Sequence, residues 1–445
     1  MGGLDGRKFR KGRKRTLSYQ SKYSPLEVDL TVEEPSTGSH QGRFSAIIVS
    51  YAMRPVIQLR PHQQTALDAL VEYLKGQVIV PTGGGKTNIA IFDAMREFLK
   101  ETPQTIVVVA PRILLAEQLS AEFLEFITNA SVMHVLSGET HHFSSTRPNV
   151  IRAWVEATQG HKLIFTTYNS LQRLQQADVP VNTIYFDEAH NSVQRNFFPA
   201  TEHFSATADR CYFFTATPKH SLTVSKPGMN DVTVYGNVIC NVPAPQLVDQ
   251  GYILPPKVVV KQLDMVQDKQ MIADRDSANL LDTIDENGLG KILICARSTK
   301  QIIKLLSESD FRKELTERGY SCMYITAKTG GVIDGQKVNR EVFFDTLNAW
   351  GKDPSKKFVV LHHSILSEGI NVSGLEAVLF MRNMDYIGIS QSIGRVIRLG
   401  GTQKTFGLVC VPVYDKVGIS TAKSVQAVVD TVFQQGQPAI SVVRR

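Results

Sequence analysis

The sequence predicts an α/β protein with two consecutive parallel-sheet domains. Two strings, PTGGGKT at 81–87 and DEAH at 187–190, each follow a short apolar run typical of a buried strand. Such runs alternate with segments of helical spacing on both sides of a proline-rich interruption at 219–256. This alternation is typical of βα units around a parallel sheet, and the interruption indicates a boundary between two domains.

The individual elements follow from the spacing of apolar residues. Before the interruption, strands are predicted at 77–80, 105–110, 163–166, 183–186 and 211–215, and helices at 87–100 and 113–127. After it, strands are predicted at 291–296, 322–326, 358–362, 377–381 and 405–412, and helices at 298–309, 336–350 and 388–398. The predicted organisation is a basic disordered arm (1–45), a first domain (46–240), a connector (241–256), a second domain (257–425) and a tail (426–445).

The composition is that of a globular protein with one unusual segment. The 445 residues are 42% hydrophobic and 20% charged, enough for two domains that each bury a core. The net charge of +7 lies in residues 1–22, which hold eight Lys or Arg and one acid, while the remainder is balanced at 41 of each sign. RKFRKGRKR at 7–15 suits phosphate neutralisation, nuclear import or a merely solubilising arm.

Targeting signals and cysteine usage predict an intracellular protein. The N-terminus is basic rather than apolar, so no secretory signal is expected. The longest apolar runs are about six residues, whereas a membrane helix needs about 20. The five cysteines are scattered and none forms CxxC, which indicates reduced thiols and no zinc site. We therefore expect a protein of the nucleus or cytoplasm, neither secreted nor bound to a membrane.

PTGGGKT predicts a phosphate-binding loop between a strand and a helix. Its glycines allow a tight turn whose N–H groups face an anion at the helix N-terminus. Lys86 is expected to reach the β- and γ-phosphates, and the Thr87 hydroxyl to ligate Mg²⁺. Val80 stands where the strict pattern has glycine, and a glycine-rich loop without nucleotide is the alternative. The nucleotide-binding candidates here are Thr82, Gly83, Gly84, Gly85, Lys86 and Thr87.

DEAH places two adjacent carboxylates at the carboxyl end of the strand predicted at 183–186, where open α/β sheets bind ligands. Asp187 is expected to hold Mg²⁺, and Glu188 to orient and deprotonate the attacking water. An acidic pair at a strand end is more often simply solvated. With the phosphate-binding loop upstream, the pair predicts hydrolysis of a nucleoside triphosphate.

QSIGRVIR at 391–398 supplies cations from the second domain. The spacings of four, three and seven place Gln391, Arg395 and Arg398 on one helix face. Guanidinium groups opposite the γ-phosphate would stabilise the transition state when the domains close. Surface salt bridges are the alternative for such arginines. Together, Lys86, Asp187, Glu188, Gln391, Arg395 and Arg398 are the predicted catalytic set.

The ordered series of motifs resembles a superfamily 2 DEAD/DEAH-box helicase or translocase over about residues 55–412. Besides PTGGGKT and DEAH, the matching segments are LRPHQQTAL (59–67), APRILLAEQL (110–119), TTYNSL (166–171), TATP (215–218), ILICARSTKQ (292–301), SILSEGINV (364–372) and QSIGRVIRLG (391–400). The resemblance implies two tandem RecA-like domains with an ATP cleft between them, ATP and Mg²⁺ as cofactors, and a nucleic-acid partner.

Further residue roles are implied by the resemblance alone. Gln63 would contact the adenine, and Arg60, Gly369 and Asn371 would contact the nucleotide, although other branches have Asp at 371. The residues that would couple the ATP site to strand binding are His190, Thr215 and Thr217. The residues that would hold nucleic-acid phosphates are Arg112, Thr167, Arg297 and Ser364.

Four details are similar to the restriction-enzyme (type III and type I) and excision-repair branch: DEAH, Gln391, the SEGIN string and APQLVDQGYILPP at 244–256. That branch favours DNA over RNA as the partner. The predicted function is ATP-dependent movement along, or unwinding of, a strand by a monomeric motor that can use a protein partner for unwinding or targeting. The alternatives are an RNA helicase or remodeler and an ATP-switched nucleic-acid clamp within a larger assembly.

Overall fold

The computed structural model describes residues 58–137, 140–223, 225–263, 272–326, 330–363, 374–381, 386–399, 405–414 and 419–443. The arm predicted at 1–45 lies outside these residues. From Leu59 onward the chain forms one compact unit, which contains two large sheets. No helix in the described ranges is long and apolar enough to cross a membrane.

The first sheet has seven strands in the order β3-β4-β2-β5-β6-β1-β8, and every pairing between them is parallel. The strands are β1 (Lys75–Ile79), β2 (Thr105–Ala110), β3 (Ala130–Val135), β4 (His161–Thr167), β5 (Thr183–Phe186), β6 (Arg210–Thr215) and β8 (Val238–Asn241). The helices are α1 (Pro61–Glu72), α2 (Lys86–Glu97), α3 (Ile113–Leu124), α4 (Pro148–Ala157), α5 (Tyr168–Gln176), α6 (Phe198–Thr207), α7 (Val232–Tyr235) and α8 (Ala244–Asp249).

The second sheet has eight strands in the order β13-β12-β11-β14-β10-β15-β16-β9, parallel except at β11-β12-β13. The strands are β9 (Pro256–Leu263), β10 (Lys291–Cys295), β11 (Ser321–Thr326), β12 (Gly330–Ile333), β13 (Gln336–Val338), β14 (Phe358–His362), β15 (Ala377–Phe380) and β16 (Gly407–Tyr414). The helices are α9 (Ile272–Asn287), α10 (Thr299–Ser307), α11 (Phe311–Glu317), α12 (Arg340–Lys352), α13 (Tyr386–Val396) and α14 (Ile419–Val429).

The predicted α/β class with two parallel sheets is confirmed. Buried side chains alternate between the two faces of each sheet, so both faces are covered. One core cluster is continuous between the sheets, since it includes Val78 from β1 and Ile393 from α13. All five cysteines are buried free thiols.

Some helix predictions are wrong at one end. The helix predicted at 336–350 begins only at Arg340, because 330–338 forms the antiparallel hairpin β12-β13. The helix predicted at 388–398 ends at Val396. The proline-rich interruption at 219–256 holds α7, β8 and α8, together with the short strand β7 (Lys219–Ser221).

The residues after α14 return to the first sheet's side of the molecule. A π-helical turn at Asp430–Gln434 leads to the strand β17 (Ser441–Val443), which pairs in parallel with β7. The Ser441 N–H donates at 3.1 Å to the carbonyl of Pro218, the last residue of TATP. We name residues 430–443 the strap. It ties the region after the second sheet to the segment that follows Thr217.

The strap gives a stability prediction. Ala439 is 0% exposed within the core cluster, whereas its neighbour Ile440 is 41% exposed. An uncompensated buried charge costs about 3 kcal/mol or more, so we expect Ala439→Asp to lower the free energy of unfolding by about that amount. Ile440→Asp is the matched control and should cost less than about 1 kcal/mol. Urea denaturation measures both; equal, small losses would show that the strap is not packed.

Candidate active site

The loop between β1 and α2 has the backbone of an anion cradle. Gly83 and Gly85 have φ values of +89° and +82°, which side chains with a Cβ rarely adopt. The Gly84 N–H closes the turn by donating to the Pro81 carbonyl at 2.9 Å. Helix α2 then begins at Lys86, so the free N–H groups of its first turn face the cleft.

The residues at the N-terminus of α1 form hydrogen bonds to the backbone of this loop. The Gln63 amide donates to the Gly85 carbonyl at 3.2 Å, and its oxygen accepts from the Arg60 N–H at 2.9 Å. The His62 Nε2 lies 2.7 Å from the Gly84 carbonyl, and burial lowers the pKa of this imidazole. Because a carbonyl only accepts, Nε2 carries the proton. A Cβ at Gly85 would lie 2.2 Å from the Gln63 amide nitrogen, so the packing here requires glycine.

The two carboxylates emerge directly after β5, as predicted. The Asp187 N–H donates to the Val109 carbonyl at 2.8 Å, and the Tyr168 hydroxyl donates to the Asp187 carbonyl at 2.8 Å. Glu188 has a φ of +46° and a ψ of +53°, a left-handed conformation that is costly for a residue with a side chain. Its Oε1 lies 3.8 Å from the Lys86 Nζ. The strained backbone therefore turns the Glu188 carboxylate toward the lysine of the phosphate loop.

The environment gives the two carboxylates different proton affinities. Burial, together with the adjacent Glu188 charge, raises the pKa of Asp187 to about 7. Burial also acts to raise the pKa of Glu188, but the surrounding positive charges outweigh it and hold this pKa below its ordinary value. The permanent charges among them belong to Lys86, Arg395 and Arg398. Glu188 is therefore the anionic member of the pair at neutral pH.

His190 joins three of the predicted motifs. Its Nδ1 lies 3.0 Å from the Thr215 Oγ1, and its Nε2 accepts from the amide nitrogens of Asn191 at 3.3 Å and Gln391 at 3.4 Å. The Nδ1 therefore carries the proton and donates to Thr215. The Thr217 N–H donates to the same Thr215 hydroxyl at 3.0 Å, and the Thr217 hydroxyl lies 3.4 Å from Nδ1. The structure thus brings together all three predicted coupling residues and Gln391.

Arg395 lies in the last turn of α13 and is buried. Arg398 lies beyond the end of the helix, so the prediction of one helix face is wrong for this residue. An antiparallel bridge to Ile253 holds the Arg398 backbone instead, and the Leu254 N–H donates to the Ile397 carbonyl at 2.7 Å. The connector between the sheets therefore fixes the backbone that carries Arg398.

These groups line one cleft with an empty volume of about 1260 Å³. Its wall combines the phosphate loop, both carboxylates, and side chains that the sequence did not single out. The lining residues used below are Arg60, Lys86, Thr87, Glu122, Asp187, Glu188, Tyr252, Gln391, Arg395 and Arg398. Glu122 on α3 belongs to no motif of the sequence, and Tyr252 lies in the APQLVDQGYILPP string but was not predicted to be a site residue.

The helix α13 lies directly on the phosphate loop. A Cβ at Gly394 would lie 2.5 Å from the Thr82 Cβ, far inside van der Waals contact. We expect Gly394→Ala to push the two apart and destabilise this closed arrangement by about 1–3 kcal/mol. Steady-state kinetics should show a fall in kcat larger than any rise in KM for ATP.

Gly160→Ala is the matched control for Gly394→Ala, since a Cβ at Gly160 meets no atom within 4 Å and should leave turnover unchanged. If both glycine variants turn over ATP like the wild type, the contact between Gly394 and Thr82 plays no part in activity.

The residues predicted to contact nucleic acid differ in how far the structure exposes them. Arg112 and Thr167 are the N-cap residues of α3 and α5, and Arg297 is exposed just after β10, so all three follow carboxyl ends of strands. The Thr167 side chain is buried, and the described conformation does not present it to a ligand. Ser364, Gly369 and Asn371 lie outside the described residues.

The donor set fits ATP with a divalent cation. The Glu188 Oε2 is buried and accepts no hydrogen bond within the described part of the chain, and Asp187 lies half-buried beside it. Desolvation and the neighbouring Glu188 charge both disfavour an ionised Asp187, and a bound cation would offset both effects. The Thr87 side chain lines the same cleft. Hard oxygen ligands of this kind suit Mg²⁺.

Fold and site together define a protein with a phosphate-type loop and two mostly parallel α/β sheets around one cleft. Residues 56–220 match the family described as the type III restriction enzyme, res subunit (ResIII). The predicted recognition is thereby confirmed for this part of the chain, which carries a ResIII domain.

Solved structures agree on the fold. The chain is similar to the ATP-dependent type ISP restriction-modification enzyme LlaBIII bound to DNA, with a TM-score of 0.65 and 18% identity over 87% of this chain. It is also similar to a nuclease-deletion mutant of the type ISP enzyme LlaGI in complex with a DNA substrate mimic, with a TM-score of 0.55 and 19% identity over 86%. The chain spans 31% and 30% of those two proteins. The fold is therefore that of tandem RecA-like domains.

Proposed function

We propose that this chain is an ATP- and Mg²⁺-dependent motor that moves along or unwinds DNA. One observation carries the proposal: Lys86 and Glu188 beside the first sheet and Arg395 and Arg398 beside the second meet in one cleft. A site completed only when two domains meet makes hydrolysis depend on their closure, which is what a motor requires.

In this proposal Lys86 binds the β- and γ-phosphates, and the N–H groups of 82–87 cradle them. Thr87 and Asp187 hold Mg²⁺, which would neutralise charge on the phosphate oxygens. The anionic Glu188 orients a water against the γ-phosphate and takes its proton. Arg395 and Arg398 stabilise the charge that develops in the transition state, and His190 with Gln391 lies beside it.

Closure of the cleft would change the grip on a strand. The His190–Thr215–Thr217 contacts lead from the carboxylates to the segment after β6. Through these hydrogen bonds, loss of the γ-phosphate can change the conformation of that segment. Arg112, Arg297 and Ser364 are the proposed phosphate contacts, so binding should tolerate any sequence. The basic arm at 7–15 would add salt-dependent affinity.

DNA is preferred over RNA because both similar structures carry DNA or a DNA mimic by their descriptions, and residues 56–220 match a restriction-enzyme family. The proposed boundaries remain 46–240 for the first domain, 241–256 for the connector and 257–425 for the second. The second candidate, an ATP-switched clamp, follows from the same cleft if closure changes affinity without stepping.

Steady-state ATPase against single-stranded DNA, duplex DNA and single-stranded RNA tests the proposal. We expect strong stimulation by DNA and little by RNA, with Glu188→Gln as the inactive control. Stimulation by RNA alone would show that the partner of the motor is RNA rather than DNA. Failure of every nucleic acid to stimulate hydrolysis would contradict a nucleic-acid motor.

A further inference from the structure

Both ends of the Gln63 side chain, which was predicted to contact the adenine, already form hydrogen bonds within the protein. Its oxygen accepts from the Arg60 N–H, its amide nitrogen donates to the Gly85 carbonyl, and its side chain is 1% exposed. Both ends of this amide therefore support the phosphate loop. Recognition of a base must come mainly from groups that face the cleft.

Tyr252 faces the cleft next to the phosphate loop and is half-buried. The Arg60 guanidinium lies over its ring, 4.6 Å from the centroid, and the His62 ring packs beside it with centroids 5.6 Å apart. An aromatic ring and a planar guanidinium at the mouth of a phosphate site present the flat surfaces on which a heterocyclic base stacks.

The chain fixes Tyr252 from both sides. Helix α8 ends in a Schellman motif, in which the Gly251 N–H donates to the Val248 carbonyl at 2.9 Å and the Tyr252 N–H donates to the Leu247 carbonyl at 2.8 Å. Gly251 has the positive φ of +69° that this motif requires. On the other side, Leu254 bonds to Ile397 near the end of α13. The ring is therefore held in place before any ligand binds.

We infer that Tyr252, with Arg60, forms the stacking platform for the base of the bound nucleoside triphosphate. The inference rests on the proposed function, because it identifies the base site of that same cleft. Stacking recognises the size of the π face rather than hydrogen-bonding groups, so the platform favours purines over pyrimidines without excluding either.

The platform also lies on the connector whose next residues, Ile253 and Leu254, bond to the backbone of Arg398 and Ile397. A base stacked on Tyr252 would therefore hold in place the segment that carries Arg398. A nucleotide should close the cleft better than its phosphates alone.

Calorimetric titration of the whole chain in Mg²⁺ tests the inference with ATP, UTP and inorganic tripolyphosphate, which has the phosphates but no base. Tyr252→Ala and Tyr252→Leu should weaken ATP binding about 5- to 150-fold, the range of base–aromatic stacking. They should weaken UTP less and leave tripolyphosphate unchanged. Tyr252→Phe keeps the ring and should bind ATP like the wild type. Tyr73→Ala, on an exposed tyrosine, is the matched control.

The assignment of Tyr252 as the stacking platform would be wrong if Tyr252→Leu binds ATP with unchanged affinity. It would also be wrong if the variant loses affinity for ATP and for tripolyphosphate by the same factor. Tyr252→Leu keeps apolar bulk, so it separates loss of the ring from loss of the fold. A wild type that binds ATP but never hydrolyses it would instead overturn the proposed motor, while the Tyr252 comparison would still decide the inference. A wild type that binds no ATP would overturn both.

Discussion

Glu188→Gln should lower kcat by about 10²–10⁴-fold while ATP still binds. The glutamate is anionic because the cations around it outweigh its burial, and its left-handed backbone directs it toward Lys86. Glutamine keeps the size of the side chain but cannot accept the proton of the attacking water. The trapped ATP complex should hold DNA in the closed state. Single-turnover hydrolysis and nucleotide titration measure the two effects separately.

Glu122→Gln is the matched control, since Glu122 lines the same cleft from α3 and its carboxylate accepts from the Gln118 amide at 2.8 Å. This variant should retain most of the turnover. If Glu188→Gln hydrolyses ATP at the wild-type rate, another group takes the proton and the assignment of Glu188 as the base is wrong.

Arg398→Ala should lower kcat by about 10³-fold or more with a much smaller change in ATP affinity, as arginine fingers do in other phosphoryl-transfer enzymes. Arg398 is held in the cleft by the Ile253 bridge, and its charge acts on Glu188. Its guanidinium is useful only when charge develops on the γ-phosphate, so binding of the ground state should be nearly intact. Arg395→Ala should behave similarly.

Arg318→Ala serves as the comparison, because Arg318 makes surface salt bridges to Asp285 and Glu314 in the second half of the chain. Exposed pairs of this kind contribute little, so its kinetics should match the wild type. A large rise in KM with unchanged kcat for Arg398→Ala would make this arginine a ground-state ligand instead.

Much of the fold was predictable because buried parallel strands are continuous apolar runs. Strands β2 and β5 match their predicted bounds. The phosphate loop and the two carboxylates follow the carboxyl ends of strands, as predicted. The β12-β13 hairpin was missed although Asp334-Gly335 is a strong turn signal. The helix predicted from the apolar spacing after this turn was drawn too far toward the N-terminus and included part of the hairpin.

Other features depend on contacts between residues distant in the chain and could not be derived from local patterns. The strand β17 has three residues and exists only because it pairs with β7. Tyr252 lies between prolines and short polar runs, and its place in the cleft follows from the Schellman motif and from Arg60. Arg398 reaches the cleft through a bridge to the connector rather than through helical periodicity.

The most direct test of the motor is the dependence of DNA-stimulated ATPase on DNA length, from one binding site to many. A motor that steps along DNA starts many cycles from each binding event, so its turnover at saturating DNA ends should rise with length and then level off. We expect this rise for the wild type, and for Glu188→Gln only residual hydrolysis that does not depend on DNA length. Turnover that is stimulated by DNA but independent of its length would contradict movement and identify the chain as an ATP-switched clamp.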